Sequence, residues 1–130
     1  MKVLLEKVIN KKDVLTQLQC YENNENYNTY SQTFDEVLKE TLDHIEVIGY
    51  YSVHKPNEYI KQSCKESIYC IVTLGPWVDD KVEFYFESYE YLKGMMLNTL
   101  ADCMLFEASN QLYSIISESY KNHNLYLTTR

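Results

Sequence analysis

Glycine and proline are scarce in this sequence: three Gly and two Pro among 130 residues. That scarcity excludes a turn-rich or collagen-like chain and predicts long regular elements. Basic residues are also in the minority, with twelve Lys and Arg against nineteen Asp and Glu, a formal net charge of −7. A chain so charged is a poor match for nucleic acid or an anionic membrane surface, both of which need clustered cations. No window approaches the ~18 apolar residues of a membrane span. The opening MKVLLEKVINKK is no signal peptide, because Glu6 and Lys7 break its apolar run. The four cysteines (Cys20, Cys64, Cys70, Cys103) form no CxxC pair, and His44, His54 and His123 form no HxxxH. Neither set has metal spacing. GxGxxG, a P-loop and a G-x-S-x-G elbow are absent as well, so neither a classical nucleotide fold nor an independent hydrolase is expected. Reduced, mostly buried thiols in a cytoplasmic protein are the expectation.

Tyrosine is what the chain has in excess: thirteen Tyr against four Phe and one Trp. A phenol ring buries area and keeps a polar tip, which suits core edges and interfaces. The length is that of one domain, 1–130, large enough for a core without metal or disulfide.

Val3, Leu4, Val8, Leu15 and Leu18 recur at near-helical spacing, which predicts a first helix bent near Asn10. Residues 21–32 are rich in Asn, Glu and Tyr without a period and read as a loop. Thr33 with Glu36 reads as a capping box, ahead of a helical face of Phe34, Val37, Leu38, Thr41, Leu42 and Ile45. Residues 46–53 are a strand, Lys55-Pro56-Asn57 a turn, and 59–65 a short helix. The apolar run 67–74 reads as a buried central strand, with Cys70 and later Cys103 in the core. Gly75 and Pro76 end it, and a helix opening at Pro76 turns Val78, Val82, Tyr85 and Phe86 inward. Gly94 breaks this helix from a long one over 93–120, whose stripe is Leu97, Leu100, Ala101, Met104, Ala108, Leu112 and Ile115. Residues 125–129 read as a last strand. Helices and strands mix without regular βαβ alternation, so the fold class is α+β: an antiparallel sheet packed with long helices.

Two features invite a functional reading. The block from Glu83 to Tyr91 alternates acids with aromatics, as a solvated helix end or a protein contact surface would. Glu107 and Asp102 stand on opposite borders of the long helix's apolar stripe, where a carboxylate can meet a ligand's amino group.

The stretch Cys70-Ile-Val-Thr-Leu-Gly-Pro-Trp-Val-Asp79, then Gly94, a helix with a central glutamate and a close on Leu125-Tyr-Leu-Thr-Thr-Arg130, resembles the activation domain of vitamin B12-dependent methionine synthase. Its small freestanding clostridial-type relatives are the nearest match. The resemblance covers roughly residues 46–130. It implies an activation-domain-like fold that presents S-adenosylmethionine, so that oxidised cob(II)alamin on a partner methyltransferase is remethylated with an electron from a flavodoxin-like donor. By resemblance, Arg130 begins the family's R-x-x-P-G-Y loop and would pair with the methionine carboxylate. Glu107 would face the ligand's amino group, and Thr73, Leu74 and Gly75 would shape the turn beside it. The sequence stops at Arg130, which implies a relative cut off before P-G-Y. The alternative is a non-catalytic binding module that contacts a corrinoid methyltransferase, or another protein, without binding S-adenosylmethionine. A shortened sheet would also leave an edge open to pairing between copies.

Overall fold

Short β-branched and aromatic runs form the strands of this protein, and longer apolar stripes form its helices. The computed structural model describes residues 1–54 and 67–121. In chain order these residues form β1 (Lys2–Leu4), α1 (Lys11–Gln17), α2 (Tyr27–His44), β2 (Ile48–His54), β3 (Ser67–Thr73), α3 (Trp77–Glu87) and α4 (Tyr91–Lys121). The fold is α+β. The strands make a three-stranded antiparallel sheet in the order β1-β2-β3.

The opening segment corrects the expected bent helix. Residues 2–4 pair with β2, with Val3 opposite Gly49, and only 11–17 are helical. The Leu5 amide continues the pairing by donating to the Val47 carbonyl at 2.8 Å. Asn10 separates strand from helix, its side chain accepting from the Asp13 amide at 3.2 Å. The expected loop over 21–32 is shorter than predicted, since α2 begins at Tyr27. Thr33 is therefore inside the helix and no cap. It is buried, and its hydroxyl donates back to the Thr29 carbonyl at 2.8 Å. The predicted α2 face is correct where it matters most, with Phe34, Val37, Thr41 and Ile45 buried.

Among the described residues β3 stands at the edge of the sheet and not at its centre. Its middle residues Tyr69, Cys70 and Ile71 are exposed, so Cys70 is not a core thiol. Among the described residues, helices cover one face of the sheet. A Cβ on Gly49 would stand 3.1 Å from both methyls of Leu112, which shows how closely α4 lies against β2. The opposite face leaves Leu4, Tyr50, Tyr69 and Ile71 in contact with solvent.

α3 follows Pro76 as expected and buries Val78 and Tyr85, while Phe86 stays on the surface. The break before α4 is not Gly94, which is a buried residue of that helix. The chain turns at Tyr89, whose φ of 61° is the left-handed conformation that ends a helix. α4 then packs against α1, α2, α3, β2 and β3. Met96, Leu97, Leu100, Met104, Ala108, Leu112 and Ile116 form its buried stripe. Ile116 takes the place expected of Ile115, which is exposed. The expected turn at Lys55–Asn57, short helix at 59–65 and last strand at 125–129, with Cys64, His123 and Arg130, lie outside the described residues.

Candidate functional site

The polar border of α4 builds the first candidate. Glu107, Asn110, Gln111 and Ser114 follow the i, i+3, i+4, i+7 spacing of a single helix stripe, beside the apolar one. They line an open cleft of about 510 Å³, closed on its other side by Leu4, Leu5 and Glu6 and at one end by Ile115. Gln111 spans the cleft. Its amide nitrogen donates to the Glu6 carbonyl at 2.9 Å, and its carbonyl accepts from the Glu6 amide at 2.9 Å. Glu107 is half-buried there. The arrangement offers a carboxylate, an amide and a hydroxyl over an apolar strip, which suits a ligand with an amino group and an apolar body.

Thr73 and Gly75 lie elsewhere. Thr73 ends β3, and its hydroxyl accepts from the Gly75 amide at 3.0 Å. Gly75 has a φ of +87°, and a Cβ there would meet nothing within 4 Å. Both residues are beyond β2 from the cleft, at the opposite edge of the sheet, and neither lines it. The structure thus separates this turn from Glu107. Leu74, between them, is a core residue, and Asp102 is exposed. Asn110, Gln111 and Ser114 were not singled out from the sequence, although their spacing from Glu107 was legible there.

A second candidate is the corner between α3 and α4. Phe84, Phe86, Tyr89, Tyr91 and Met95 are all exposed, Tyr89 at 79%. The rings of Phe86 and Tyr91 lie 6.0 Å apart and those of Tyr89 and Tyr91 6.2 Å apart, so the aromatics form a contiguous patch. The acids Glu83, Glu87 and Glu90 are exposed around it.

Beneath the corner lies a polar cluster. The buried Tyr85 donates to Glu40 Oε2 at 3.0 Å, and Lys81 Nζ stands 3.0 Å from Glu40 Oε1. Lys81 also lies over the Phe84 and Tyr85 rings, 4.7 and 5.0 Å from their centroids. The Lys81 hydrogen bond, helped by Tyr85, holds the Glu40 carboxyl below its ordinary range despite some burial. Burial and the Glu40 bond push the Tyr85 phenol well above its own. Every strong donor here has its acceptor, so the cluster is a brace between α2 and α3 and supplies no free acid or base. His44, at the end of α2, stacks on Trp77 at 4.8 Å and 8°, and its Nδ1–H donates to the Glu40 carbonyl.

Among the described residues, no group of three or more His, Cys, Asp or Glu could hold a metal ion. No helix among them is long and apolar enough to cross a membrane. No protein-family model matches this chain, and no curated protein matches it either.

Proposed function

We propose that this chain works as a non-catalytic binding module, docking onto a partner protein through the aromatic corner of α3 and α4. The observation that carries this reading is the contiguous exposed patch of Phe86, Tyr89, Tyr91 and Met95 with its acidic surround. Large exposed aromatics are the side chains that anchor protein interfaces. The partner would present an apolar recess, with basic groups facing Glu83 and Glu87. The resemblance to the methionine synthase activation domain points to a cobalamin-binding methyltransferase. The test is to titrate such an enzyme with the wild-type chain and with Tyr89→Ala/Tyr91→Ala. A dissociation constant raised at least about tenfold, or about 1.4 kcal/mol, is expected. Equal binding by both chains removes the corner from the function.

A second reading has its own support. In an activation-domain-like fold, Glu107 in its cleft would bind the amino group of S-adenosylmethionine, with Asn110 and Ser114 as neighbouring hydrogen-bonding groups. S-adenosylmethionine would supply the methyl group that restores the partner's cobalamin, with an electron from a flavodoxin-like donor, while this chain binds and orients it. By the same resemblance Arg130 would pair with the ligand carboxylate, and Thr73 and Gly75 would shape the neighbouring turn. Docking takes precedence because Thr73 and Gly75 do not line the cleft that holds Glu107. Calorimetric titration with S-adenosylmethionine distinguishes the two. Saturable binding that weakens in Glu107→Ala supports presentation of the ligand, and no heat up to millimolar ligand leaves docking alone.

A further inference from the structure

The edge of β3 that pairs with no strand among the described residues is complementary to itself. The Tyr51 amide donates to the Met1 carbonyl at 3.0 Å and the Met1 ammonium donates to the Tyr51 carbonyl, while Leu5 donates to Val47. These bonds turn the backbone groups of odd-numbered β2 residues toward β1 and those of even-numbered ones toward β3. The register pairs Tyr50 with Ile71 and Ser52 with Tyr69. In β3, therefore, Ser67, Tyr69, Ile71 and Thr73 bond to β2, and Ile68, Cys70 and Val72 aim their N–H and C=O groups outward. Among the described residues no strand pairs with that edge.

Edge strands that remain solitary are commonly guarded by a charge, a proline or a bulge. Ser67–Thr73 reads SIYCIVT and has no charge and no proline. Read outward from Cys70, it is also a chemical palindrome. Tyr69 matches Ile71, Ile68 matches Val72, and Ser67 matches Thr73.

We infer that this edge binds a second copy of the chain, β3 against β3 in antiparallel register, with the two-fold axis at Cys70. In that register Cys70 exchanges both backbone bonds with Cys70 of the second copy, and Ile68 does so with Val72 on each side of the axis. Every outward backbone group of β3 is then satisfied. On the sheet face without helices, Tyr69 (56% exposed) packs against Ile71 (67% exposed) of the other copy. Ser67 stands opposite Thr73. The absence of charge along β3 matters for two molecules of net charge −7. It is a stretch of surface where they approach without opposed carboxylates.

The test is sedimentation equilibrium of the whole chain from about 1 μM to about 1 mM, where weak and moderate self-association is resolved. A concentration-dependent dimer is expected, and Cys70→Lys, which puts a charge on the axis, should sediment as a monomer with unchanged circular dichroism. In parallel, a short bis-maleimide should link wild-type chains into a covalent dimer, and Cys70→Ser should abolish it. Directly opposed residues in such a pair have Cα atoms about 5.5 Å apart. A monomeric wild-type chain, a dimer that survives Cys70→Lys, or a cross-link that survives Cys70→Ser would each overturn the proposal. Should Cys70→Lys fail to fold, sedimentation and cross-linking of the wild-type chain still decide it.

Discussion

The Tyr85 hydroxyl donates to Glu40 Oε2 at 3.0 Å, and that bond fastens the middle of α3 to the last turns of α2. Tyr85 is 4% exposed, whereas the Glu40 side chain is 39% exposed, so one partner is desolvated and the other is wet.

Two pH dependences follow from this pair. Lys81 and Tyr85 lower the Glu40 pKa from 4.5, so its contribution to stability is present above that value and is lost as the pH falls through the folded value. The stability gap between wild type and Glu40→Gln should therefore shrink on acidification. Its size at neutral pH is modest, about 1 kcal/mol or less, because the carboxylate is partly solvated. Burial, with Glu40, raises the Tyr85 pKa, so its contribution is present below 10.0 and is lost as the pH rises beyond it. Tyr85→Phe should cost about 1 kcal/mol near neutrality and should remove the alkaline loss. Urea titrations across the pH range measure both effects, and a gap that widens in acid contradicts the first.

Gly49 has no room for a side chain. Leu112 would meet its Cβ at 3.1 Å and Leu5 at 3.2 Å, and Leu112 is itself enclosed. Gly49→Ala should destabilise by about 1–3 kcal/mol through overpacking, in spite of alanine's gain in backbone entropy. A thermal midpoint at or above that of wild type would show that α4 yields easily.

The register of α4 is decided by neighbouring isoleucines. Ile116 is 2% exposed and Ile115 is 41% exposed. Ile116→Ala should cost about 2–5 kcal/mol, and Ile115→Ala, outside the core, about 0.5 kcal/mol. Equal losses would place both on the core boundary.

Cys103 should be a slow nucleophile. Burial, then the carboxylates of Asp13, Asp102 and Glu107, raise its thiol pKa, and the thiolate is the reactive form. Iodoacetamide at mildly alkaline pH should modify it more slowly than a free model thiol, because less of it is thiolate at that pH. Peptide mapping over time gives the rate, and a rate equal to the model thiol's would refute the shielding.

Much of the fold is visible in the residues themselves. α2, β2, α3 and α4 follow from apolar faces and β-branched runs, because each has enough turns or alternations to show a period. β1 does not, since Lys2–Leu4 is too short to alternate and Val3 and Leu4 also fit a helical pattern. The Thr33–Glu36 spacing imitates a cap, yet nothing local shows that Tyr27 and Tyr30 extend the helix by packing on the core. Gly94 looks like a breaker and is instead the position where Phe86 crosses α4, its ring 2.9 Å from where a Cβ would be. Tyr89, which does turn the chain, has no breaker's chemistry. The edge position of β3 is also hidden, because an apolar run looks the same at the middle of a sheet and at its rim. At the site, the alternation of acids and aromatics between Glu83 and Tyr91 was legible, and it fitted a solvated helix end as well as a contact surface. The separation of Thr73 and Gly75 from Glu107 depends on strand order, which one sequence does not display.

Gln111 grips both backbone groups of Glu6 across a sequence separation of 105 residues, and α4 supplies the surface on which α1, α2, α3, β2 and β3 all rest. On a ribosome the earlier elements emerge first, and although the strands can already pair, their apolar faces stay uncovered until α4 clears the exit tunnel. The apolar faces of α1, α2 and the sheet must wait in solvent or in the care of a chaperone, and folding becomes a single late event when α4 arrives.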